Sequence, residues 1–166
     1  MKRLFTFIAT ALICCAGNQT NVKAETMDKE IQSVQDWDKT FPKSKKVNHE
    51  KVAFKTQYGL TLAADLYIPK NAEGKLPAIA VSGPFGAVKE QCSGLYAQTM
   101  AERGFITIAF DPSFTGESSG EPRRTASPDI NTEDFLAAVD YLSMRDDVDA
   151  GRIGIIGICG WGGIAL

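Results

Sequence analysis

The stretch that decides the fold is Arg152-Ile-Gly-Ile-Ile-Gly-Ile-Cys-Gly-Trp-Gly-Gly163, near the carboxyl end of the 166 residues. Its apolar run, Ile153-Gly-Ile-Ile156, does not alternate with polar residues, which is typical of a strand buried on both faces of a parallel sheet. Glycines then surround Cys159, and a sharp turn from strand to helix needs them because its backbone is crowded. The stretch therefore predicts a strand, a tight turn and a helix, with Cys159 at the carboxyl end of the sheet.

Cys159 is the candidate nucleophile of this turn. A helix N-terminus beneath the sulfur favours its thiolate form, and the N–H of Gly160 points towards an oxyanion formed when the sulfur attacks a carbonyl. Two alternatives use the same residues. The glycines also suit a plain tight turn with Cys159 as a small buried side chain, and Gly160-Trp-Gly-Gly-Ile-Ala165 fits the G-x-G-x-x-A dinucleotide-binding fingerprint. That fingerprint follows the first strand of its domain, whereas four or five predicted strands precede this one.

Outward from the turn, the chain predicts a β-hairpin followed by a βαβαβ unit. Two further apolar runs precede the turn, Ala78-Ile-Ala-Val81 and Phe105-Ile-Thr-Ile-Ala-Phe110. Upstream of them, Lys51-Val-Ala-Phe-Lys55 and Leu60-Thr-Leu-Ala-Ala-Asp-Leu-Tyr-Ile68 alternate at period two around Tyr58-Gly59, which indicates an antiparallel pair. The pattern is that of an α/β fold with helices on both faces of the sheet.

Two helices are predicted between the buried strands. The first covers Leu95–Arg103 and ends at Gly104, which suits the C′ position. The second covers Thr132–Met144, where apolar residues recur at helical spacing. Asn131 is its predicted N-cap, and the acidic pair Glu133-Asp134 is expected in its first turn, where the helix dipole favours negative charge.

The amino terminus has the pattern of a secretory signal peptide over residues 1–24. Met1-Lys-Arg3 is basic, the next thirteen residues are apolar, and Val22-Lys-Ala24 offers a small-residue cleavage site. The apolar run is too short to span a bilayer comfortably, so we expect cleavage and no membrane attachment afterwards. An uncleaved anchor or a lipoprotein site at Cys14-Cys15 is the alternative. The prediction is export to the periplasm or beyond the cell.

What remains after cleavage is an acidic chain of ordinary globular composition. The whole sequence has 18 Lys and Arg against 20 Asp and Glu and is 44% hydrophobic, and cleavage removes three basic residues and no acid. Nucleic acid is not an expected partner, because no basic patch for a phosphate backbone is present. We expect residues 25–46 to be a loosely attached polar lead-in and residues 47–166 to be the folded domain.

The mature chain keeps two cysteines and one histidine, which limits its chemistry. Cys92, Cys159 and His49 do not form a zinc-binding pattern, so we expect no metal and no cofactor. An oxidising compartment allows a Cys92–Cys159 disulfide, but Cys92 is better explained as a small packed side chain. His49 shares the alternate face of its strand with Lys51 and Lys55, so we expect it on a solvated surface.

Four segments occur here in the order and spacing that they have in α/β-hydrolases. They are Val81-Ser-Gly-Pro-Phe-Gly86, Asp111-Pro-Ser-Phe-Thr-Gly-Glu-Ser118, Pro128-Asp-Ile-Asn-Thr-Glu-Asp-Phe135 and the stretch 152–163. From about residue 47 to residue 166 the chain resembles most the dienelactone-hydrolase-like and Xaa-Pro dipeptidyl-peptidase-like branch. The resemblance implies an α/β-hydrolase-type sheet, with an N-terminal β-hairpin and then βαβαβ, truncated after the nucleophile elbow.

The resemblance also implies roles for particular residues. Cys159 stands where the family has its Ser or Cys nucleophile. The amides of Phe85 and Gly160 stand where the family has its oxyanion hole, since the proline before Phe85 has no N–H to donate. The usual elbow has glycine where this chain has Trp161, and the glycine falls one position later, as in the Xaa-Pro dipeptidyl-peptidase-like elbow. Trp161 is expected to pack in the core or to line an acyl pocket.

The function implied is hydrolysis of ester, lactone or related acyl bonds of a small-molecule substrate by a Cys nucleophile. The family places its triad histidine and acid in the second half of the fold, and neither is in this sequence, so little turnover is expected of this chain alone. The alternative is an inactive fragment or a binding module of the same fold.

Two polar pairs near the predicted site are given ordinary roles. Glu117 and Ser118 lie in a glycine-rich loop and are expected to shape a turn rather than to contact substrate. Arg123-Arg124 is expected to be a solvated charge pair, with a clamp for a substrate carboxylate as the alternative.

Overall fold

The computed structural model describes residues 37–71 and 73–166, where strands and helices follow one another in the order that the sequence predicts. They are β1 (Val47–Lys55), β2 (Thr61–Pro69), β3 (Leu76–Ser82), α1 (Cys92–Ala101), β4 (Ile106–Phe110), α2 (Pro128–Ser143), β5 (Val148–Gly157) and α3 (Trp161–Ile164). The hairpin and the βαβαβ unit are confirmed. The expected signal peptide and the first part of the lead-in lie outside the described residues, so those boundaries stay predictions.

The five strands form one mixed sheet in the order β1-β2-β4-β3-β5. β1 and β2 pair antiparallel, with Val47 opposite Pro69 and Lys55 opposite Thr61. β2 is also antiparallel to β4, whereas β3 lies parallel between β4 and β5. Because parallel strands end at the same edge of a sheet, the loops that follow β3, β4 and β5 meet there.

Helices cover both faces of the sheet, as expected. α2 packs on one face, where Leu62, Ile108 and Phe135 belong to a single buried cluster. α1 packs on the other face, where Ala97 and Ala109 belong to a second cluster. Neighbouring residues of β4 therefore point to opposite helices, as the two-residue period of a strand requires. All five residues of β4 are buried, which explains why its sequence does not alternate.

Both main helices begin earlier than the spacing of apolar residues suggests. α1 begins at Cys92 and α2 at Pro128. Asn131 is therefore not the N-cap of α2. Ser127 holds that position, and its N–H donates to Oδ1 of Asn131 at 2.9 Å. Proline is favoured at the first helical position because its missing N–H would have no partner there. Within the described part of the chain, no helix is long and apolar enough to cross a membrane.

Residues 37–46 are more firmly attached than the expected lead-in. The Phe41 side chain is 7% exposed and belongs to the core on the α1 side of the sheet. The Thr40 N–H donates to the carbonyl of Glu90 at 2.9 Å, and the Trp37 indole donates to the Phe41 carbonyl. Because most of this segment is polar, its composition does not indicate that Trp37 and Phe41 attach it to the domain. As a result, one face of β1 is covered rather than solvated.

Candidate active site

Cys159 lies just beyond β5, in the tight turn that the sequence predicts. Its backbone φ is +59°, in the left-handed region that residues with side chains seldom adopt. The Ile158 N–H donates to the Ser82 carbonyl at 3.0 Å, and the Trp161 N–H donates to the Ile158 carbonyl at 3.2 Å, which holds the turn against β3. The Cys159 side chain is exposed, so the alternative of a buried structural cysteine is wrong.

Two of the glycines around the turn are required by its packing. A Cβ at Gly157 would lie 2.2 Å from the carbonyl oxygen of Trp161, and one at Gly160 would lie 2.3 Å from the Phe85 ring. By contrast, a Cβ at Gly163 would meet nothing within 4 Å. The predicted crowding is therefore real at Gly157 and Gly160 and absent at Gly163.

The loop after β3 lies against the same turn. Gly83 has a φ of +101°, and a Cβ there would lie 2.5 Å from the carbonyl oxygen of Ile158. The Phe85 ring covers Gly160. Among the described residues, neither the Phe85 N–H nor the Gly160 N–H donates a hydrogen bond to a protein group. Two amides on adjoining loops thus remain unpaired, which an oxyanion hole requires.

Trp161 packs in the core, which is one of the two roles expected of it, and it also borders a groove. The residue is 2% exposed, and its ring lies 6.1 Å from that of Phe135 and 5.2 Å from that of Phe85. Its indole N–H has no hydrogen-bond partner in the described part of the chain. Trp161 also lines the open groove beside the turn, so the same residue contacts both the core and this groove.

An open groove of about 690 Å³ runs from the turn along the loop that follows β4. Its lining includes the aromatic residues Phe85, Phe114 and Trp161 and the charged residues Arg123 and Arg124. The groove reaches the turn through the neighbours of Cys159 rather than through the thiol itself. Sequence reasoning missed the groove, because no local pattern shows that residues 112–126 fold back beside residue 161.

The two arginines of the groove have different surroundings. The Arg123 guanidinium donates to three carbonyls of its own loop, those of Gly116, Ser118 and Gly120. Arg123 therefore closes the loop and is not the merely solvated charge that we expected. Arg124 is exposed, and its guanidinium has no hydrogen-bond or ion-pair partner among the described residues.

Cys92 is less accessible than Cys159. It begins α1, is partly buried, and its Sγ donates to the Gly83 carbonyl at 3.6 Å. Burial raises the pKa of the Cys92 thiol above its ordinary value; hydrogen bonds from backbone N–H groups oppose this rise, and the nearby Cys159 adds to it. Both cysteines are free thiols in the structure. Cys159 is thus the more accessible of these two thiols.

His49 does not lie on a solvated surface, so that expectation was wrong. Its side chain is 14% exposed, and its Nε2 lies 2.8 Å from Oδ1 of Asp65. Its ring lies 5.2 Å from that of Trp37 and 5.1 Å from that of Tyr67. The alternation of β1 was read correctly, but residues 37–46 cover the face that it assigned to solvent.

A buried lysine lies among three carboxylates at the carboxyl edge of β4. Lys89 has a side chain 1% exposed, and its Nζ lies 2.5 Å from Glu90, 2.9 Å from Asp111 and 2.6 Å from Glu117. Carboxylate oxygens of these three acids lie within 4.8 Å of one another, a spacing that metal sites also show. Burial lowers the pKa of Lys89, but the three acids outweigh it and hold that pKa above its ordinary value. The cation of this cluster is therefore the protein's own ammonium group.

Glu117 and Ser118 shape the loop after β4, as expected. The Glu117 N–H donates to Oδ2 of Asp111 at 2.9 Å. The Ser118 hydroxyl donates to the Asp111 carbonyl at 2.7 Å and accepts the Ala63 N–H at 2.9 Å. The loop that lines the groove is thus tied to the buried cluster of Lys89.

The acidic pair of α2 serves tertiary contacts rather than the helix dipole. Because α2 begins at Pro128, Glu133 and Asp134 lie in its second turn. Glu133 accepts the Gln57 N–H at 2.9 Å, and Asp134 accepts the N–H and the hydroxyl of Ser113 at 2.8 and 2.6 Å. Burial raises the pKa of Asp134, although its hydrogen bonds oppose this. Glu133 thus holds the turn between β1 and β2, and Asp134 holds the start of the loop after β4.

Comparison with known proteins identifies a family and its relatives. The sequence model of the X-Pro dipeptidyl-peptidase (S15) family matches residues 59–166. A Pseudomonas aeruginosa protein described as "Uncharacterized protein PA2218" is 63% identical over 166 residues, which cover 96% of this chain and 45% of the relative. Acyltransferase drtE of Aspergillus calidoustus is 35% identical over 121 residues, 73% of this chain and 38% of the relative. Thiohydrolase aneE of Aspergillus aculeatus is 33% identical over 118 residues, which cover 71% of this chain and 36% of the relative. The chain thus spans less than half the length of these relatives.

Solved structures agree on the fold. The crystal structure of PA2218 matches with a TM-score of 0.78 and 71% identity, covering 80% of this chain and 41% of that one. The α/β-hydrolase GrgF from Penicillium sp. sh18 matches with a TM-score of 0.65 and 28% identity, covering 70% and 39%. A putative dienelactone hydrolase from Klebsiella pneumoniae, at 22% identity and a TM-score of 0.57 over 70% and 51%, shares the fold. The expected α/β-hydrolase architecture is confirmed.

Proposed function

Since the chain belongs to the X-Pro dipeptidyl-peptidase (S15) family, we propose that it provides the nucleophile and the oxyanion hole of an acyl hydrolase. Cys159 is the nucleophile, and the N–H groups of Phe85 and Gly160 are the donors. The observation that carries the proposal is the left-handed φ of +59° at an exposed cysteine directly after a parallel strand. Backbone strain of this kind persists where the surrounding structure enforces it, and it concentrates at functional sites.

In the proposed reaction, the Cys159 thiolate attacks the carbonyl carbon of the substrate and forms a C–S bond. The electron pair of the C=O bond moves onto oxygen, where the Phe85 and Gly160 amides stabilise it. Removal of one such donor typically lowers kcat by about 10²- to 10³-fold. Collapse of this intermediate expels the leaving group with its electron pair and leaves an acyl-Cys159 thioester, which water hydrolyses.

His49 is not the base in this proposal. It lies in β1, whereas Cys159 follows β5, and these strands form opposite edges of the sheet. Four inter-strand steps of about 4.8 Å place the two edges about 19 Å apart. In addition, Asp65 and two aromatic rings hold the imidazole in place. The base and its orienting acid therefore belong to the part of the relatives' length that these residues do not span.

The proposed substrate is a small molecule with an ester, lactone or related acyl bond, and the proposed setting is outside the cytoplasm. Relatives named acyltransferase and thiohydrolase support acyl chemistry. The proposed export depends on residues 1–24 alone. Without a base, we expect this chain to be acylated once and to turn over slowly, because a general base contributes roughly 10²- to 10⁴-fold.

The test is labelling of the folded 166-residue chain with iodoacetamide near pH 7, followed by peptide mass mapping. Cys159 should be labelled faster than Cys92, because it is exposed whereas burial raises the pKa of Cys92. p-Nitrophenyl acetate should release about one equivalent of nitrophenolate and acetylate Cys159. Cys159→Ala should abolish this release, and the matched control Cys92→Ala should keep it.

Two outcomes would contradict parts of the proposal. Equal or slower labelling of Cys159, or acetylation that survives Cys159→Ala, would remove Cys159 as nucleophile and leave the binding-module alternative. Sustained turnover that needs Cys159 and is lost in His49→Ala would show that the base lies within this chain.

A further inference from the structure

We propose that the groove beside Cys159 binds an anionic group on the acyl substrate, a carboxylate or a phosphate, and that Arg124 recognises it. The inference rests on the proposed function only for the reacting end of the substrate. The anionic end is a separate binding property, which can be measured in a variant without the nucleophile. It follows from the charge of the groove, the backbone of its loop and the free guanidinium of Arg124.

The groove is positively charged although the chain as a whole is acidic. Among the residues that the structure describes, its lining contains Arg123 and Arg124 and no acidic residue. The whole sequence, in contrast, has 20 Asp and Glu against 18 Lys and Arg. A cleft lined by one sign of charge raises the local concentration of ligands of the opposite sign. An anionic substrate is thus favoured here, and a cationic one is disfavoured.

The strained backbone of the molecule is concentrated at this groove. Among residues 37–71 and 73–166, the non-glycine residues with positive φ are Phe114 at +71°, Arg124 at +61° and Cys159 at +59°. The first two line the groove, and the third lies in the turn that adjoins it. Residues in this region cost free energy and are kept where the surroundings over-determine them. The same strain therefore marks both the nucleophile and the arginine.

Arg124 has a fixed backbone, and its guanidinium has no partner in the part of the chain that the structure describes. Its N–H donates to the Phe114 carbonyl at 2.8 Å. The Phe114 ring in turn packs on Gly120, where a Cβ would lie 2.4 Å from the ring. Arg123 ties the same loop through three carbonyls, so it is not available for a ligand. The planar guanidinium of Arg124 is thus presented for the bidentate hydrogen bonds that carboxylates and phosphates accept.

The arrangement defines a class of substrate. In this proposal the reacting carbonyl binds at Cys159, the anionic group binds at Arg124, and a hydrocarbon chain contacts the apolar lining residues Phe85, Phe114 and Trp161. The proposed substrate is an amphipathic acyl compound that carries its negative charge on a group other than the reacting carbonyl.

The first experiment compares two acyl donors that differ in one charge. They are the p-nitrophenyl monoester of adipic acid, which keeps a free carboxylate, and the methyl ester of that compound, which is neutral. The Cys159 thiolate displaces nitrophenolate from either donor, and intact mass gives the rate of acylation. We expect the charged donor to react roughly three- to tenfold faster, the range of an exposed to a partly desolvated ion pair. The ratio should fall in 1 M salt, where the Debye length is about 3 Å.

Variants of the arginine assign the effect. Arg124→Asn should bring the ratio close to one, and asparagine keeps the fold because it tolerates the left-handed backbone. Arg124→Lys should keep part of the preference, since it keeps the charge but not the planar fork. The control is Arg103→Asn, which removes the same charge from an exposed turn after α1 and should leave the ratio unchanged.

A binding measurement separates this inference from the nucleophile. Cys159→Ala is titrated by calorimetry with monomethyl adipate, butyl phosphate and neutral dimethyl adipate. Binding of monomethyl adipate that is lost with Arg124→Asn supports a carboxylate ligand, and binding of butyl phosphate alone supports a phosphate ligand. No preference for either anion over the neutral diester overturns the inference, as does a preference that Arg124→Asn leaves intact. If neither donor acylates Cys159, the proposed function fails, and the titration still decides the anion site.

Discussion

The polar groups around Lys89 and those around Cys159 have opposite surroundings in one fold. Lys89 is buried, and three carboxylates contact its ammonium group. Cys159 is exposed, its backbone is strained, and the neighbouring Phe85 and Gly160 amides have no protein acceptor among the described residues. In the first region the ammonium group has its partners within the protein. In the second, the two amide N–H groups have no acceptor among the described residues.

The difference teaches where to look for chemistry in this molecule. Asp111 connects the two regions, because it binds Lys89 and also accepts the N–H of Glu117 in the loop that lines the groove. A buried charge with its partners present rigidifies the structure, whereas an unpaired donor at the surface is available to a ligand. Unpaired hydrogen-bond donors, rather than a high density of charged residues, therefore mark the site that we propose.

The largest expected effect is loss of the Lys89 cation. Lys89→Met leaves the fully buried Asp111 without its ammonium partner, whereas Glu90 and Glu117 keep a contact with Lys51. Breaking such a buried cluster costs about 4 kcal/mol of unfolding free energy. Urea denaturation followed by circular dichroism measures it. Lys45→Met, at an exposed lysine, is the matched control and should change stability by no more than about 0.5 kcal/mol. If Lys89→Met and Lys45→Met change stability equally, the carboxylates around Lys89 do not stabilise the fold through its charge.

The next effect depends on pH and concerns the same buried side of the sheet. Burial raises the pKa of Asp65, but the His49 hydrogen bond and the Lys39 ammonium outweigh it and hold that pKa below its ordinary value. The stabilisation is therefore present above the unfolded pKa of about 3.9 and is lost as pH falls through the lower folded value. Asp65→Asn should lower the unfolding free energy by about 3 kcal/mol at pH 7.

Comparing wild type and Asp65→Asn at acidic pH tests the predicted direction of the pH dependence. Once Asp65 is protonated in the wild type, the difference between wild type and Asp65→Asn should shrink, and urea midpoints at neutral pH and at successively lower pH measure this. A difference that stays constant over this range would show that the Asp65 carboxylate does not contribute through its charge.

The smallest expected effect concerns the packing of the turn that holds Cys159. Gly157→Ala places a Cβ 2.2 Å from the Trp161 carbonyl, so we expect a loss of about 2 kcal/mol and slower labelling of Cys159 as the turn shifts. Gly163→Ala meets nothing within 4 Å and is the matched control, with a change of about 0.5 kcal/mol or less in either direction. If both alanines are tolerated alike, the turn is not held by the crowding described above.

The turn and the main strands could be predicted because their signals are local. The apolar run from Ile153 to Ile156 and the glycines beside Cys159 lie within a dozen residues of sequence. The bounds were less accurate: β5 begins at Val148 and α2 at Pro128, since tertiary contacts extend both elements beyond their apolar pattern.

The charged cluster around Lys89 and the groove could not be predicted, because their residues come from distant positions. The crossover from β3 through α1 to β4 brings Lys89 and Asp111 together. Trp37, in the segment before β1, covers His49 and excludes solvent from it. A periodic pattern assigns each charge to solvent unless its partner is known. Arg124 was noticed in the sequence, but the difference between it and Arg123 appears only in the hydrogen bonds of the folded loop.

The strand order also sets the sequence of events during synthesis. β1, β2, β4 and β3 form a continuous block whose pairings all lie within residues 47–110. β5 joins only the outer edge of β3, through pairs such as Val81 with Ile156. A chain that leaves the ribosome from its amino end can complete the block before β5 has been made. The turn that holds Cys159 is therefore added after this block, onto an edge that already exists.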